Sequence, residues 1–353
     1  MGKKRKLRVA VIGCGNAGGT LHLPALSRLS DVEITGIADT DEERLAGTAR
    51  RFGIHNYATD YRRILDDVEV VAICVPPRIH CPIALEALSA GKHVLLEKPL
   101  ALDQNECQML VRAARESGLC ATAGMNLRWH GLVRRALAFA ASGRLGKLLK
   151  IESAVRTAWP GSHQDWRNGD DLSGHILLET GVHHFDLWRL LSQSDVVNVS
   201  STYVRGPDGS QRSQVSGTMA NGTAVCSMFS NVGRIENELK VLGTRGAVRF
   251  SCYDAMSFEM TNGRPYALQT AIGKARELAG AMWRFRHRGT FMDSYRVHWR
   301  HFLDCILEGR SVEPSFEDGQ KAVETALAAI RSAELRQPVW LRAPADAVCR
   351  ARA

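Results

Sequence analysis

The stretch Val9-Ala10-Val11-Ile12-Gly13-Cys14-Gly15-Asn16-Ala17-Gly18 decides how the first third of this chain folds. Four apolar residues are typical of a buried strand, a Gly-x-Gly-x-x-Gly turn follows at once, and residues 17–29 continue with a helical pattern. In such a turn the glycines allow a sharp bend and a close approach to the backbone, and the free N–H groups of the helix attract phosphate. The sequence therefore predicts a dinucleotide site, with a purely structural glycine turn as the alternative, at Gly13, Gly15, Asn16, Ala17 and Gly18.

Short apolar runs alternate with longer amphipathic segments from Leu7 to about Thr122. This alternation is typical of strand-helix-strand units in a parallel sheet, whose ligand site lies at the carboxyl ends of the strands. Residue pairs that resemble capping boxes and glycines that end helices separate the units. We predict strands at Val9–Ile12, Glu33–Ala38, Val70–Val75, His93–Leu96 and Cys120–Gly124, capping boxes at Thr40/Glu43 and Asp103/Glu106, and helix ends at Gly53, Gly91 and Gly118.

The pattern changes after about Met125 to alternating or β-branched runs separated by turn signals. The fold class is therefore α/β, with an N-terminal Rossmann doubly wound parallel sheet and then an α+β domain with an open, mostly antiparallel sheet. We assign residues 1–124 to the NAD(P)-binding domain, 125–345 to a substrate-binding and oligomerisation domain, and 346–353 to a flexible tail.

Composition excludes several classes of protein. A chain of 353 residues exceeds one usual core and predicts two domains. Nine scattered cysteines without a Cys-x-x-Cys pair indicate free thiols and no metal site. The net charge of +9 is spread along the chain, which argues against nucleic acid as a partner, and no apolar run is long enough to span a membrane. We expect a cytoplasmic protein.

The next features concern the choice of cofactor. Asp39 ends the second predicted strand and is followed by Thr40, at the distance expected for the acidic residue that binds the adenosine ribose. A carboxylate repels a 2′-phosphate, so NAD is expected rather than NADP. Residues that end the third predicted strand and open the next helix should border the nicotinamide at the same sheet edge: Val75, Pro76, Pro77 and His80.

Lys98 stands between Glu97 and Pro99, directly after the predicted strand His93–Leu96. A residue before proline favours extended backbone, and an extended residue at the tip of a strand can aim its side chain into the ligand crevice. An exposed Lys-Pro turn is the alternative. The surrounding loops at this sheet edge favour a role for Lys98 at the cofactor.

Glu179, His183 and Asp186 form a second group of polar residues. Spacings of four and three residues place them on one face of a helix, with a capped surface helix as the alternative. Gly181 within that helix indicates a close approach, for which we expect substrate or nicotinamide.

With these motifs, and with Asn126-Leu127-Arg128, Asp165-Trp166-Arg167 and Glu317-Asp318-Gly319, the chain resembles the Gfo/Idh/MocA family of oxidoreductases along nearly its whole length. The resemblance implies a homodimer or homotetramer. It also implies that Lys98 contacts the reacting hydroxyl and the nicotinamide, and that His183 is the general acid/base. Glu179 departs from the aspartate common in the family, and Ser173-Gly174-His175 replaces a usual triple glycine.

The activity implied is reversible NAD-dependent oxidation of a secondary ring hydroxyl of a sugar, inositol, sugar phosphate or nucleotide sugar. Glu97 and Asn126 join the expected cofactor contacts. The expected substrate contacts are Lys98, Arg128, Arg156, Trp159, Trp166, Arg167, Glu179 and His183. Two alternatives remain open on the same fold: a redox-neutral NAD-dependent glycosidase, which recycles its cofactor, and a catalytically silent NAD-binding regulator.

Overall fold

The computed structural model describes residues 5–158, 172–261 and 291–341. Two compact units emerge from the contacts between residues: residues 1–126 with 292–323, and residues 127–291 with 324–353. Among the described residues, no helix combines the length and the apolar character needed to cross a membrane.

The first unit contains a six-stranded sheet in the order β3-β2-β1-β4-β5-β6, in which every neighbouring pair is parallel. This confirms the predicted Rossmann sheet. The centre of the sheet is fully buried, and each aliphatic side chain there stabilises the fold by about 1.5–3 kcal/mol. The strands are β1 (Leu7–Ile12), β2 (Val32–Ala38), β3 (Tyr57–Ala58), β4 (Val70–Ile73), β5 (His93–Leu96) and β6 (Ala121–Ala123).

Helices follow the strands of this unit, and most end where the glycines predicted. Gly53 and Gly118 cap helices in the left-handed conformation. Asp103 caps its helix by accepting from the N–H of Glu106, as predicted, but Asp41 rather than Thr40 caps the other. The helices are α1 (Leu23–Leu26), α2 (Glu42–Phe52), α3 (His80–Ser89) and α4 (Gln104–Ser117), with 3₁₀ turns at Tyr61–Ile64 and Pro77–Ile79.

Residues 292–323 belong with the first unit, whereas the sequence analysis placed them in the second domain. They include most of helix α7 (Phe291–Glu308) and the start of α8 (Phe316–Leu335). Side-chain bonds explain the difference: His298 bonds Thr122, and Arg300 bonds Asp31. These contacts join residues far apart in the chain, so no local pattern reports them.

The second unit contains an eight-stranded sheet in the order β13-β12-β11-β7-β10-β9-β8-β14. Only β7 and β10 pair in parallel, and the other neighbours are antiparallel, which confirms a mostly antiparallel sheet. The strands are β7 (Leu148–Arg156), β8 (Val196–Arg205), β9 (Gln211–Met219), β10 (Ala224–Ser230), β11 (Glu236–Gly243), β12 (Ala247–Ser251), β13 (Asp254–Thr261) and β14 (Val339–Trp340).

One face of this sheet is covered by helix α6 (Val182–Ser192). Trp188 of α6 donates its indole N–H to Ser227, and Phe185 packs edge-on against Phe229, both on β10. Helix α5 (Gly131–Ala141) and a 3₁₀ turn at Asn126–Trp129 precede the sheet in the chain. The predicted helix from residue 130 to 142 is therefore confirmed.

Candidate functional site

The glycine turn lies after β1, where the order of strands in the sheet reverses. A β-carbon on Gly13 would lie 2.6 Å from the carbonyl oxygen of Cys74, and one on Gly18 only 1.8 Å from the carbonyl oxygen of Gly13. Gly13 also has a φ of +93°, which side chains rarely adopt. By contrast, among the described residues other than its chain neighbours, no atom lies within 4 Å of the position that a β-carbon on Gly15 would take. The outer two glycines therefore shape the turn, whereas Gly15 leaves open space at the backbone.

The segment after the turn is not the regular helix that residues 17–29 predicted. Asn16–His22 is π-helical, and α-helix follows only over Leu23–Leu26. Pro24 has no backbone N–H, so an α-helix cannot run through it with all its bonds. The turn still presents helix-terminal N–H groups at Asn16 and Ala17, which fit a pyrophosphate.

Asp39 faces the glycine turn from the end of β2. One carboxylate oxygen accepts from the backbone N–H of Cys14 over 2.7 Å, and the other accepts from the N–H of Asp41 over 2.9 Å. The guanidinium of Arg44 lies 3.4 Å from Asp39 and 2.7 Å from Asp41. Thr40, between Asp39 and Asp41 in the sequence, is exposed. Nη1 of Arg44 reaches both oxygens of Asp39 only over 3.4 Å, so ribose hydroxyls could take the place of this long contact.

His80 has a different position from the one expected. Its ring is fully buried, with Nδ1 2.8 Å from the carbonyl oxygen of Pro99 and Nε2 2.9 Å from that of Val75. Burial lowers the pKa of His80, and the two carbonyl oxygens offset this only in part. The ring of His80 thus lies between the loops after β4 and β5, and the nitrogen that carries the proton donates to the carbonyl oxygen of one of them. This differs from the cofactor contact expected for it. Pro76 is partly exposed and Pro77 is buried beside this junction.

Lys98 leaves the carboxyl end of β5, at the same sheet edge as the glycine turn. Its backbone N–H donates to Oε2 of Glu97 over 3.0 Å, and Oε1 of Glu97 lies 2.8 Å from Nε2 of His22. Glu97 is only 5% exposed. The Glu97 side chain thus holds the backbone that carries Lys98, which differs from the direct cofactor contact expected for it.

Asn126 is fully buried near the end of the first unit. Its amide nitrogen donates to Ser294 on helix α7 over 2.7 Å. Among the described residues, its amide oxygen has no hydrogen-bond partner. A buried acceptor without a partner is costly, and a ligand donor would satisfy it.

The histidine segment of the second unit begins with a π-helical stretch, Leu177–Gly181, that leads into α6. Glu179 is buried and His183 is partly exposed, so the surface-helix alternative is wrong. Glu179 lies in the π-helical stretch and His183 in the α-helix, so their spacing is not that of one regular α-helix. Both π-helical segments of the described chain coincide with candidate site residues, where such segments are frequent.

A glycine at position 181 is explained by the packing of the helix itself. A β-carbon there would lie 3.0 Å from the ring of Phe185, one turn further along the helix. The close approach inferred from this glycine is therefore made by the protein's own core.

Asp186 and Arg128 form a buried, two-pronged ion pair. Nε of Arg128 lies 2.7 Å from Oδ2 of Asp186, and Nη2 lies 2.5 Å from Oδ1. The side chains are 8% and 1% exposed. Asp186 thus engages two nitrogens of the guanidinium. A substrate contact by Arg128 stays a prediction.

Arg156 is not brought together with the histidine helix. Successive side chains of a strand point to opposite faces. Ser153 of β7 lies within hydrogen-bond distance of Ser227, which accepts from Trp188 of α6. Arg156 is three positions further along the strand and therefore lies on the other face, beside Glu236. The expected role of Arg156 at the substrate stays a prediction. Trp159, Trp166 and Arg167, and the tail at residues 346–353, lie outside the described residues.

Three residues near these sites were not assigned a role from the sequence: His22, Arg44 and Trp299. Trp299 donates its indole N–H to Nδ1 of His22 over 3.0 Å. His22 lay within the stretch that carried the family resemblance, but Trp299 is 277 positions away and gave no signal. Arg44 stands only five residues after Asp39, so the sequence did carry a signal for it.

Together, the sheet order, the open Gly15 and the acid at the end of β2 define a dinucleotide-binding Rossmann protein. The chain belongs to the Gfo/Idh/MocA oxidoreductase family. The model of the family's NAD-binding Rossmann fold matches residues 7–125, and that of its C-terminal alpha/beta domain matches residues 141–341. The protein is thus an NAD(P)-dependent oxidoreductase.

Similar proteins include a levoglucosan dehydrogenase from Pseudarthrobacter phenanthrenivorans, 28% identical over 87% of this chain and 89% of that protein. A myo-inositol 2-dehydrogenase from Thermotoga maritima is 24% identical over 95% of this chain and 98% of its own length. A solved levoglucosan dehydrogenase in complex with NADH and levoglucosan has the same fold. It covers 96% of this chain and 100% of its own, with a TM-score of 0.84 and 24% identity.

Proposed function

We propose that the protein catalyses reversible, NAD-dependent oxidation of a secondary ring hydroxyl of a sugar, inositol, sugar phosphate or nucleotide sugar to a ketone. The observation that carries the proposal is the sheet edge of the first unit. There the open backbone at Gly15 and the lysine after β5 leave the same parallel sheet at its carboxyl side. The similar levoglucosan and inositol dehydrogenases support the substrate class.

The dinucleotide would be held by the residues of this edge. N–H groups after Gly15 would bind the pyrophosphate, Asp39 the adenosine ribose, and the loops after β4 and β5 the nicotinamide end. When bound, the nicotinamide supplies the acceptor for a hydride. Asn126 offers a buried amide oxygen that would accept from the cofactor.

The remaining chemistry is the loss of a proton from the hydroxyl. In the proposed mechanism, His183 takes that proton as general base, which suits an imidazole with a pKa near neutrality in solution. The ammonium of Lys98 stabilises negative charge as it develops on the oxygen, without forming a covalent bond. Glu179, four residues before His183, orients the imidazole and interacts with substrate hydroxyls.

NAD is the proposed cofactor because Asp39 faces the glycine turn with a carboxylate that would repel a 2′-phosphate. Arg44 does not reverse this preference, because Asp39 and Asp41 both neutralise it. We also propose a homo-oligomer, dimer or tetramer, which analytical ultracentrifugation of the purified chain would test.

The test mixes the protein with NAD and a panel containing levoglucosan, myo-inositol and a nucleotide sugar, and follows NADH absorbance. NADH should accumulate with at least one member of the panel. Lys98→Met and His183→Ala should each slow turnover by at least about a thousandfold while NADH binding, followed by fluorescence, persists. The exposed Lys147 and His55 provide the matched controls Lys147→Met and His55→Ala, which should retain activity.

Wild-type rates in Lys98→Met or His183→Ala would refute the assigned roles. Cleavage of a glycosidic bond without net NADH would show the redox-neutral glycosidase instead. Tight NADH binding with no reaction across the panel would favour the silent regulator.

A further inference from the structure

A buried chain of hydrogen bonds runs from helix α7 to the backbone of Lys98, all within the first unit. Trp299 donates to Nδ1 of His22 over 3.0 Å, and Nε2 of His22 lies 2.8 Å from Oε1 of Glu97. Oε2 of Glu97 accepts from the N–H of Lys98 over 3.0 Å. Trp299, His22 and Glu97 are 0%, 1% and 5% exposed, so water does not compete for these bonds.

The donors and acceptors along this chain allow only one arrangement of protons. An indole nitrogen is a donor only, so Nδ1 of His22 must be an acceptor and carries no proton. The ring proton is therefore on Nε2, from which it is donated to Glu97. Both oxygens of Glu97 then accept, which is the arrangement of a carboxylate.

Packing confines the members of the chain to these positions. The ring of His22 meets Tyr295 and Trp299 edge-on, with centroids 5.2 and 5.9 Å away. A β-carbon on Gly124 would lie 2.9 Å from Cα of Glu97 and 3.0 Å from its carboxyl carbon. The glycine thus leaves just enough space for the carboxylate beside Lys98.

We propose that Trp299 and His22 are positioning residues for Lys98: the indole fixes the tautomer of His22, and the imidazole in turn fixes the carboxylate that holds the Lys98 backbone. This inference rests on the proposed role of Lys98 in the reaction. The proposal gives helix α7 a role in that reaction, although α7 begins about 200 residues after Lys98 in the sequence.

Glu97→Gln should disrupt this chain of hydrogen bonds, because an amide cannot accept from both His22 and Lys98. The new amide has one oxygen and one donor group, so it must point its donor either at Lys98 N–H or at His22. Facing His22 requires the other tautomer, whose Nδ1–H would oppose the indole N–H of Trp299. Either choice sets two donors against each other, and Lys98 is displaced or held less firmly.

Removing the indole N–H should relieve this conflict. In Glu97→Gln/Trp299→Phe, His22 can change tautomer and accept from the amide, which leaves the amide oxygen for Lys98 N–H. A buried clash or unpaired donor is worth about tenfold in rate or more. We expect Glu97→Gln to lower kcat at least about tenfold, Trp299→Phe less than about threefold, and the double variant to recover about tenfold over Glu97→Gln.

Phe302, fully buried on the same helix, supplies the control. Glu97→Gln/Phe302→Leu also loosens the packing of α7 but leaves the indole N–H, so it should show no recovery. The assays use NAD and the panel member oxidised fastest. A double variant no faster than Glu97→Gln, or equal recovery with Phe302→Leu, would overturn the proposal.

Two measurements do not depend on turnover. Nitrogen-15 NMR of wild-type protein, with His22 assigned by comparison with His22→Gln, should show the Nε2–H tautomer; the Nδ1–H tautomer or a doubly protonated ring would overturn the proposal. Crystal structures should show Lys98 displaced or less well ordered in Glu97→Gln and restored in the double variant, and a Lys98 unchanged in both position and order would also overturn the proposal. In a different outcome, Lys98→Met turns over like the wild type while His22 has the expected tautomer and Lys98 moves as expected in the other variants. That combination would refute the proposed function but not the positioning of Lys98.

Discussion

The carboxylate of Asp39 accepts a hydrogen bond from the backbone N–H of Cys14 across 2.7 Å. This bond ties the end of β2 to the glycine turn after β1, so the ribose-binding acid and the phosphate-binding turn are fixed relative to each other. Arg44 lies beside the same carboxylate, 3.4 Å away. The charge balance at this corner of the sheet should therefore determine the choice of cofactor.

Asp39→Asn should shift the preference toward NADP. The amide removes the repulsion of a 2′-phosphate and releases Arg44 from one of its two carboxylates. We expect the ratio of NADPH to NADH dissociation constants to fall by about tenfold or more, corresponding to about 1.4 kcal/mol. Fluorescence titration with both cofactors measures it. Asp60→Asn, at an exposed helix cap in the same unit, controls for the loss of one charge, and an unchanged ratio in Asp39→Asn would contradict the prediction.

Alanine substitutions at the glycines of the turn should affect stability and cofactor binding differently. Gly15→Ala has space in the free protein, so the unfolding free energy should change by less than about 1 kcal/mol, but its methyl group would occupy the space needed by a pyrophosphate. Gly18→Ala collides with the backbone of Gly13 and should be strongly destabilised. Urea unfolding and NADH titration separate the two effects. Gly47→Ala, in helix α2 with nothing within 4 Å, should instead stabilise by about 0.5–1 kcal/mol.

The buried pair of Arg128 and Asp186 should be far more sensitive than ion pairs at the surface. Arg128→Met removes the guanidinium from a buried carboxylate and should cost about 3–5 kcal/mol of unfolding free energy. Arg128→Met/Asp186→Leu should be less destabilised than the single variant because the buried carboxylate is removed as well. Arg112→Ala, whose pair with Glu116 is 79% and 62% exposed, should change stability by less than about 1 kcal/mol. Equal losses in all three proteins would rule out this account.

His184 should make stability depend on pH. Burial lowers the pKa of His184 to about 3, against about 6.5 in the unfolded chain. Between these values the unfolded chain takes up a proton that the folded chain does not, so stability falls as the pH is lowered through that window. Neither ring nitrogen has a hydrogen-bond partner among the described residues, so His184→Leu retains the burial without the titration.

The free energy of unfolding measured in urea at pH 7 and pH 5 tests this. Loss of the titration in His184→Leu should reduce the difference between the two pH values by roughly 2 kcal/mol. His130 and His175, whose pKa values burial lowers to about 4, contribute in the same direction and remain in the variant. The exposed His55→Leu should leave the difference as in wild type. A pH dependence unaltered by His184→Leu would count against the burial argument.

Local patterns predicted the regular elements well. The strand boundaries of β5 agreed to the residue, because three apolar residues between a glycine turn and Lys98-Pro99 leave little choice. Strand β3, of two residues, was missed because it is too short for any periodicity. The cap at Asp41 was missed by one position, since neighbouring Thr and Asp residues both suit a helix start.

The sites were predicted less evenly. The glycine turn follows from sterics that act over a few residues, and the structure has close backbone contacts at Gly13 and Gly18 and open space at Gly15. His80 and Glu97 were expected at the cofactor, but their side chains bond to Val75, Pro99, Lys98 and His22. A polar residue near a ligand loop has the same local pattern whether it touches the ligand or supports the loop.

The sequence by itself determined the Rossmann sheet, the open sheet and the positions of Gly15 and Lys98, because hydrophobic period and turn chemistry act between near neighbours. Only the tertiary structure decided that residues 292–323 join the first unit, that Arg156 faces away from α6, and that Trp299 bonds His22. These outcomes depend on which buried donor meets which acceptor after distant segments pack together. Nothing within either segment records that pairing, because the cost of an unpaired buried group arises only in the folded chain.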